Sequence, residues 1–487
     1  MTKGSEQLFQ LLSASSKTLE SKLAIIEAHT GNEISYSKLL DAMSRVEQLF
    51  ESAPQKILLA LPGGIIDSVV WLTALTFGYQ LIPVSPSLTE YEFDDALGKH
   101  NPDIVIADSE FIPKKSIAKV YTANDIEKAI ENKEPSDPHP QPTDGSVYLE
   151  TSGSTGTPKG MILTATQIVI TASHIQDVHK ITEHDRGLTP LPFHHVNAPV
   201  VSLVTSMLAQ STLIIAPKFS ASNFWSWVEQ YQPTWISIVP TIVAILLTTD
   251  RPDFLDHSTL RFIRTASAPL PKANLIKFEE KFGIPLIETY GISEAASTIT
   301  ANPLPPEVHK PGSAGKPIGV QMEIREKGTK KQTETGTIGE VWVQGPQVIS
   351  SYIGNADAES FDTNWFRTGD LGYFDNDGYL FITGRSKEMI IRGGENIAPR
   401  EIEEVLVTHP DVHEVAVVGQ PDPIYGEEVV AYVVPSVSDI KLSHSLKLFI
   451  QQKLSVQKVP TKIHVVDALP RGKTGKIDKQ ALKKHQL

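Results

Sequence analysis

The sequence predicts an α/β protein: a large amino-terminal domain of layered sheets and helices with a small β-barrel-like subdomain, followed by a small α+β carboxy-terminal domain. Three observations carry this reading. Short apolar runs closed by Pro, Ser or Asp alternate with amphipathic segments through the first half of the chain, the pattern of buried parallel strands between helices. From about residue 310, β-branched residues alternate with polar ones around glycines, which suits a smaller antiparallel sheet or barrel. Near residue 384 a third texture begins, with strand, helix, strand, turn and strand in an order sufficient for a separate module of about 100 residues. A chain of 487 residues also exceeds what one hydrophobic core serves.

Taken in order, "KILLALP" (56–62), "QLIPVSP" (80–86), "DIVIADS" (103–109), "STLIIAP" (211–217) and "TWISIVPT" (234–241) read as buried strands. The most apolar long stretch, "GIIDSVVWLTALTFGYQLIPV" (64–84), is interrupted by Asp67, Gly78 and Pro83, so it reads as a buried helix and a strand rather than a membrane span. Residues 130–146, rich in proline and polar side chains, form an exposed connection. The antiparallel texture runs through "QMEIREKGTKKQTETGTIGEVWVQG", and the last module through "GRSKEMIIRGGENIAPREIEEVLVTHP" (384–410) and "EVAVVGQPDPIYGEEVVAYVVPS".

With 40% hydrophobic and 21% charged residues the composition is that of an ordinary globular protein. The absence of cysteine excludes disulfides and thiolate metal sites. The start has no basic segment leading into an apolar one, so a signal peptide is not expected and a cytoplasmic location is. A net charge of −13 argues against a nucleic-acid partner, although residues 441–487 hold eleven Lys/Arg against two Asp/Glu. That tail is interleaved with apolar residues and reads either as a folded domain with a solvated basic face or as one presenting cations to a phosphate-bearing ligand.

The stretch "YLETSGSTGTPKGM" (148–161) places glycines, hydroxyls and one lysine after a strand. A Walker A loop needs Gly-Lys followed by Ser or Thr; here Pro158 precedes Lys159 and Gly160 follows it. No G-x-G-x-x-G fingerprint is present either. The alternatives are a flexible surface turn and a triphosphate clamp built from Thr151, Ser152, Gly153, Ser154, Thr155, Gly156, Thr157 and Lys159, whose glycines admit close backbone approach.

Three later segments follow in order: "ETYGISEA" (288–295), "WFRTGDLGYFDNDGYLFITGRSKEMIIRGGENIAP" (365–399) and "LPRGKTGKID" (469–478). Together with the loop they resemble the core motifs of the adenylate-forming superfamily, which comprises acyl-CoA synthetases, luciferase and peptide-synthetase adenylation domains. The resemblance spans roughly Val147 to Asp478 and rests on four ordered motifs. It implies ATP, Mg²⁺ and coenzyme A as cofactors and a carboxylic acid as substrate, with a carrier-protein thiol as the alternative acceptor.

By the same resemblance, Glu288, Thr289, Tyr290, Gly291 and Ser293 belong to the nucleotide site, Tyr290 stacking on adenine and Ser293 meeting the α-phosphate, where relatives usually carry threonine. Glu294 is the expected Mg²⁺ ligand, a hard carboxylate suited to that ion. Ser267, Ala268 and Pro269 match the adenine-pocket segment and share the acyl pocket with "TWISIVPT". Asp370 is expected to accept the ribose hydroxyls and Arg385 to contact the ribose or α-phosphate. Lys476 matches the catalytic lysine, with Lys473 as its competitor, because charge building at the α-phosphorus needs a mobile ammonium. His195, with His194 beside it, matches the residue between acyl pocket and adenylate; adjacent histidines in a strand would point to opposite faces, which speaks against a paired metal site.

The resemblance also implies a mobile carboxy-terminal domain. Residues 1–384 form the expected large domain, 385–388 the hinge with Lys387 at its centre, and 389–487 the lid. One orientation brings Lys476 to the adenylate and the other opens a thiol tunnel lined by Gly393 and Gly394. Many relatives carry lysine where this chain has Ile391. The segments "VVGQPDPIYGEEVVAYVVP" and "QKVPTKIHVVDALPRGKTGK" favour an acyl-CoA synthetase over a carrier-loading adenylation enzyme or a non-catalytic nucleotide-binding protein. "TASAPLPKANLIKFEEKFGIPLIETYGISEAA" shares texture with oxalate-activating and plant aryl-activating relatives, and fatty or aryl acids remain open as substrates.

Overall fold

The structure, a computed structural model, describes residues 3–51, 55–108, 118–132, 140–151, 159–436, 442–472 and 476–484. Two sheets organise the large domain. The first has nine strands, and its centre is parallel: Phe262–Thr265, Trp235–Ile238, Arg186–Thr189, Thr212–Ile215 and Leu23–Glu27 lie side by side in that order. Leu286–Ile292 continues it in parallel, whereas Ser297–Ala301 and Lys316–Pro317 close that edge antiparallel. The second sheet has six strands, with Lys119–Tyr121, Ile104–Ala107, Lys56–Ala60, Gln80–Pro83 and Ser146–Thr151 parallel and Lys159–Thr164 folded back as a hairpin. The apolar runs read from the sequence become strands of these two sheets.

Helices fill the space between the sheets. Ile65–Phe77 contacts strands of both, and every residue from Asp67 to Phe77 is buried. An all-round apolar helix is the expected choice for such a slot. Among the described residues no helix is long and apolar enough to cross a membrane. The Pro-rich connection falls partly outside the described residues, but its end is packed. Gly145 lies so close to the Ala74 carbonyl that a Cβ would meet it at 1.9 Å, so glycine is required there.

Beyond residue 320 a five-stranded antiparallel sheet is formed by Gln321–Arg325, Gly339–Gln344, Trp365–Phe374, Phe361–Asp362 and Leu380–Arg385. Its described strands do not pair into a ring, so of sheet and barrel it takes the sheet. The carboxy-terminal sheet pairs Glu395–Ile397, Ile390–Arg392, Gly426–Pro435 and Val412–Asp422 antiparallel, with Lys462–Val465 added in parallel. Pro399–Leu406 and Leu442–Gln451 cover one face around Ile402, Leu406, Leu446 and Ile450, giving this part a core of its own.

Candidate active site

In an open parallel sheet, ligands bind beyond the carboxyl ends of the strands, where the following loops splay apart. Four such ends of the nine-stranded sheet open on one cavity of about 1660 Å³. Arg186–Thr189 leads into Pro190–Pro192 and His194–Asn197, Thr212–Ile215 into Pro217–Phe219, Trp235–Ile238 into Val239 and Ile242, and Phe262–Thr265 into Ala266 and Ser267, all on its wall. Thr151 and Lys159 enter from the six-stranded sheet, Ser293 and Glu294 from the turn after Leu286–Ile292, and Arg385, Ser386 and Lys387 from the end of Leu380–Arg385. Lys476 reaches in from the carboxy-terminal part. Residues from Thr151 to Lys476 therefore share one space.

Specific contacts hold the charges in this space and the buried Tyr290–Asp370 pair behind its wall. Both carboxylate oxygens of the buried Asp370 accept hydrogen bonds, Oδ2 from the Tyr290 hydroxyl at 2.6 Å and Oδ1 from Arg385 Nε at 2.9 Å. Burial and the neighbouring Asp370 hold the Tyr290 phenol far above its ordinary range. Glu294 Oε1 accepts from the Tyr352 hydroxyl at 2.6 Å, and Lys159 pairs with Asp357 while its Nζ stands 5.2 Å from the centre of the Tyr352 ring. Tyr352 thus stands between Lys159 and a carboxylate that faces the cavity.

Lys476 feels two opposed influences. Lys476 is solvent-exposed, yet desolvation by the surrounding protein and the nearby Arg385 push its ammonium below the usual lysine range, while Asp370 and Glu294 hold the proton on. His195 is pushed down to about 4 by enclosure, by His194 and by Lys476, so its ring is neutral above pH 5. The two histidines lie on the turn before the π-helical stretch Asn197–Val204, with ring centroids 4.2 Å apart. The expectation that they point to opposite faces is corrected, because they are not in a strand and both rings reach the same cavity.

Backbone strain collects on the same wall. Ser267 has φ 75° and Ser297 φ 111°, a region costing a non-glycine residue about 1–3 kcal/mol and concentrated at functional sites. Asn197 Nδ2 donates to Ser267 Oγ at 3.0 Å and so fixes that hydroxyl at the cavity.

Not every residue expected at the site lies on it: Tyr290 and Asp370 pair with each other beside the cavity and do not line it. Ser152, Gly153, Ser154, Thr155, Gly156 and Thr157 lie outside the described residues, as does Lys473. Ala268 and Pro269 are exposed but do not line the cavity. Glu288 and Thr289 turn away from it. Glu288 accepts the Gly312 N–H, and the Thr289 hydroxyl is held between the Arg264 guanidinium and the Thr265 carbonyl. The strand Trp235–Ile238 is core, and only Val239 and Ile242 beyond it reach the cavity. Gly393 and Gly394 form an exposed hairpin turn against Tyr425 and are not brought to the cavity in this arrangement. Asn197, Arg264, Tyr352 and Asp357 carry no expectation from sequence, although an arginine within a four-residue apolar strand was a visible irregularity.

Glu288 has a measurable consequence. Burial raises its carboxyl to about 7, against the opposing influence of Arg400 and the Gly312 N–H, with Glu404 adding to the rise. A carboxyl of about 4.3 in the unfolded chain means that the folded state holds an extra proton in between. This contribution to stability is complete below about pH 4.3 and is lost as pH rises through about 7. Glu288→Gln is therefore expected to melt a few degrees above the wild type at pH 8, with the gap closing toward pH 5. A constant gap by differential scanning fluorimetry across this window contradicts the assignment.

The profile of the AMP-binding enzyme family matches residues 12–353, and that of the AMP-binding enzyme C-terminal domain matches residues 401–476. The chain is 42% identical over 354 residues to the oxalate–CoA ligase of Arabidopsis thaliana, an alignment covering 71% of this chain and 68% of that protein. It is 40% identical over 351 residues to the sulfoacetate–CoA ligase of Cupriavidus necator, covering 72% and 68%. Among solved structures, ATP-bound MatB from Rhodopseudomonas palustris superposes with a TM-score of 0.88 at 27% identity, over 98% of both chains.

Proposed function

The chain belongs to the AMP-binding enzyme family, and from that premise we propose that it activates a short carboxylic acid carrying a second acid group, using ATP and coenzyme A. It is an AMP-forming acid–thiol ligase. The observation that carries the reading is the convergence of Lys476 from the carboxy-terminal part with Glu294, Arg385 and His195 on one cavity, beside the Tyr290–Asp370 pair. The second acid group is supported by the names of the relatives, oxalate and sulfoacetate, and by the polar wall of Ser267, Asn197 and the histidines.

In the first half-reaction a substrate carboxylate oxygen attacks the α-phosphorus of ATP, and the bond to the β-phosphate oxygen breaks. Pyrophosphate leaves, and acyl-AMP remains. Lys476 neutralises the incoming carboxylate and the charge on the α-phosphoryl oxygens, while Lys159 exchanges Asp357 for the departing phosphates. Asp370 receives the ribose hydroxyls, and Arg385 keeps its carboxylate in place. Neutral His195 can donate or accept a hydrogen bond between the acyl and phosphoryl ends without adding charge. In the second half-reaction the thiolate of coenzyme A, its proton lost to solvent, attacks the acyl carbon and AMP leaves.

Glu294 is a fit for Mg²⁺, which typically uses one or two carboxylates and completes its shell with water and substrate phosphates. The described residues contain no cluster of three metal-ligating side chains. Magnesium there would neutralise the phosphate oxygens. The Tyr352 hydroxyl orients the carboxylate, so Tyr352→Phe is expected to raise the Mg²⁺ concentration for half-maximal rate by about tenfold. A Mg²⁺ titration that superposes on the wild type removes Tyr352 from this role.

The substrate class is tested by pyrophosphate release over aliphatic, aromatic and dicarboxylic acids, with the thioester identified by mass spectrometry. Release confined to aromatic or long-chain acids would refute the proposed class. Acyl transfer to purified carrier protein but not to coenzyme A would refute the acceptor.

A further inference from the structure

Arg264 is a charge without a counter-charge. It sits in the middle of Phe262–Thr265 with no exposure to solvent, and no carboxylate among the described residues lies in ion-pair reach of it. Its donors meet only neutral oxygens: Nη1 reaches Asn197 Oδ1 at 3.4 Å and Ser237 Oγ at 3.2 Å, and Nη2 reaches Thr289 Oγ1 at 2.6 Å and Thr298 Oγ1 at 3.0 Å. Nε has no partner. Burial lowers the guanidinium pKa to about 9, which leaves a cation at neutral pH. A buried cation held by dipoles alone is costly, and an anion one side chain away offsets part of that cost.

Two of the four partners, Asn197 and Thr298, are on the wall of the cavity. A guanidinium can only donate, so Asn197 must turn its Oδ1 toward Arg264 and its amide N–H groups the other way. One of these N–H groups is spent on Ser267 Oγ at 3.0 Å. Ser267 then already accepts a hydrogen bond, and its own O–H is left to donate into the cavity. The result is a wall that displays donors and a positive potential and offers little to an apolar chain end.

We propose that Arg264 is a specificity-determining positioning residue, which acts through Asn197 and Ser267 to make this wall select acids bearing a second anionic group. This rests on the reading of the chain as an acid-activating ligase and adds the device that chooses the acid. An acid ending in a methyl group leaves the donors unpaired, and sites built to hydrogen-bond a substrate reject analogues that lack the partner. Thr289 also holds the same guanidinium, and its hydroxyl keeps a second bond to the Thr265 carbonyl that does not depend on Arg264.

The test compares malonate with propionate and succinate with butyrate in ATP–pyrophosphate exchange, using the wild type, Arg264→Met, Arg264→Lys and Asn197→Asp. The wild type is expected to prefer each diacid by tenfold or more. Arg264→Met should lose that preference through a KM for the diacid raised at least about tenfold, with KM for ATP little moved. Arg264→Lys should keep most of the preference because it keeps the charge. If Arg264→Met does not fold, as judged by circular dichroism, Asn197→Asp decides. Aspartate matches asparagine in shape, gives Arg264 an anionic partner, and should abolish the preference by setting a carboxylate on the wall. A preference retained in Asn197→Asp, or absent from a wild type that exchanges with all four acids, overturns the inference. A wild type that exchanges pyrophosphate with no acid overturns the ligase reading itself.

Discussion

Lys476→Ala is expected to lower acid-dependent pyrophosphate exchange by about 10²- to 10³-fold, the usual cost of removing one preorganised group from a site of developing charge. The same variant should still form thioester from supplied acyl-AMP within a few-fold of the wild type. The asymmetry follows from where charge appears. In the proposed first half-reaction negative charge builds at the α-phosphorus beside Lys476, which Asp370 and Glu294 keep protonated against desolvation and Arg385. Attack of a thiolate on an acyl carbon places its charge on the acyl oxygen and the departing AMP, and the proposed domain rotation has by then carried Lys476 away. Equal losses in both half-reactions would show that Lys476 supports the site as a whole rather than the first transition state.

Lys387→Pro is expected to do the reverse. Residues 386–389 join Leu380–Arg385 of the antiparallel sheet to Ile390–Arg392 of the carboxy-terminal sheet, so they carry the chain between the two bodies. In the arrangement seen here the linker is tied by Ser386 N–H to the Gly369 carbonyl and by Glu388 N–H to the Arg385 carbonyl, and Lys476 is at the cavity. Gly393 and Gly394, only a short distance further along the chain, are not. Bringing them there requires backbone rotation in this linker. Proline fixes φ at its own position and restricts the preceding residue as well. Adenylation should fall modestly, and thioester formation from acyl-AMP should fall by about tenfold or more, since hinge residues absorb large φ/ψ changes. Stopped-flow measurement of each half-reaction separates the two, and survival of both at wild-type rates removes the hinge from Lys387.

Much of this organisation was legible in the sequence because it is written in local signals. Runs such as "KILLALP" and "STLIIAP" became the strands Lys56–Ala60 and Thr212–Ile215, since fully buried parallel strands leave continuous apolar runs that few other elements produce. The stretch at 64–84 resolved into the helix Ile65–Phe77 and the strand Gln80–Pro83, with Gly78 in the left-handed conformation between them. Motif residues such as Glu294, Arg385 and Lys476 were found because they recur with their neighbours in order. That they share one cavity was implied only through the family resemblance, since the residues alone do not say how the sheets that carry them stack.

What escaped the sequence is equally specific. Tyr352 stands in a turn-rich stretch with no local pattern, and it matters only because the chain folds Glu294 and Lys159 onto its two sides. Arg264 was visible as a charge in an apolar run, but its role was not, because its partners come from four separate segments at 197, 237, 289 and 298. The pairing of His194 and His195 on one wall depended on a turn where alternation suggested a strand. Glu288 sits two residues from Tyr290, and the alternation of a strand sends both side chains to one face, yet Tyr290 meets Asp370 while Glu288 is taken up by Gly312.

On this reading one cavity splits ATP at the α-phosphorus in order to join an acid to coenzyme A. Chromatographic accounting of adenine nucleotides and thioester, with malonate or another short diacid, ATP, Mg²⁺ and coenzyme A, measures this directly. AMP and acyl-CoA appearing in equal amounts, both dependent on the acid and both abolished with Lys476→Ala, is the predicted result. ADP as the nucleotide product, or AMP released at the same rate without any acid, would contradict it.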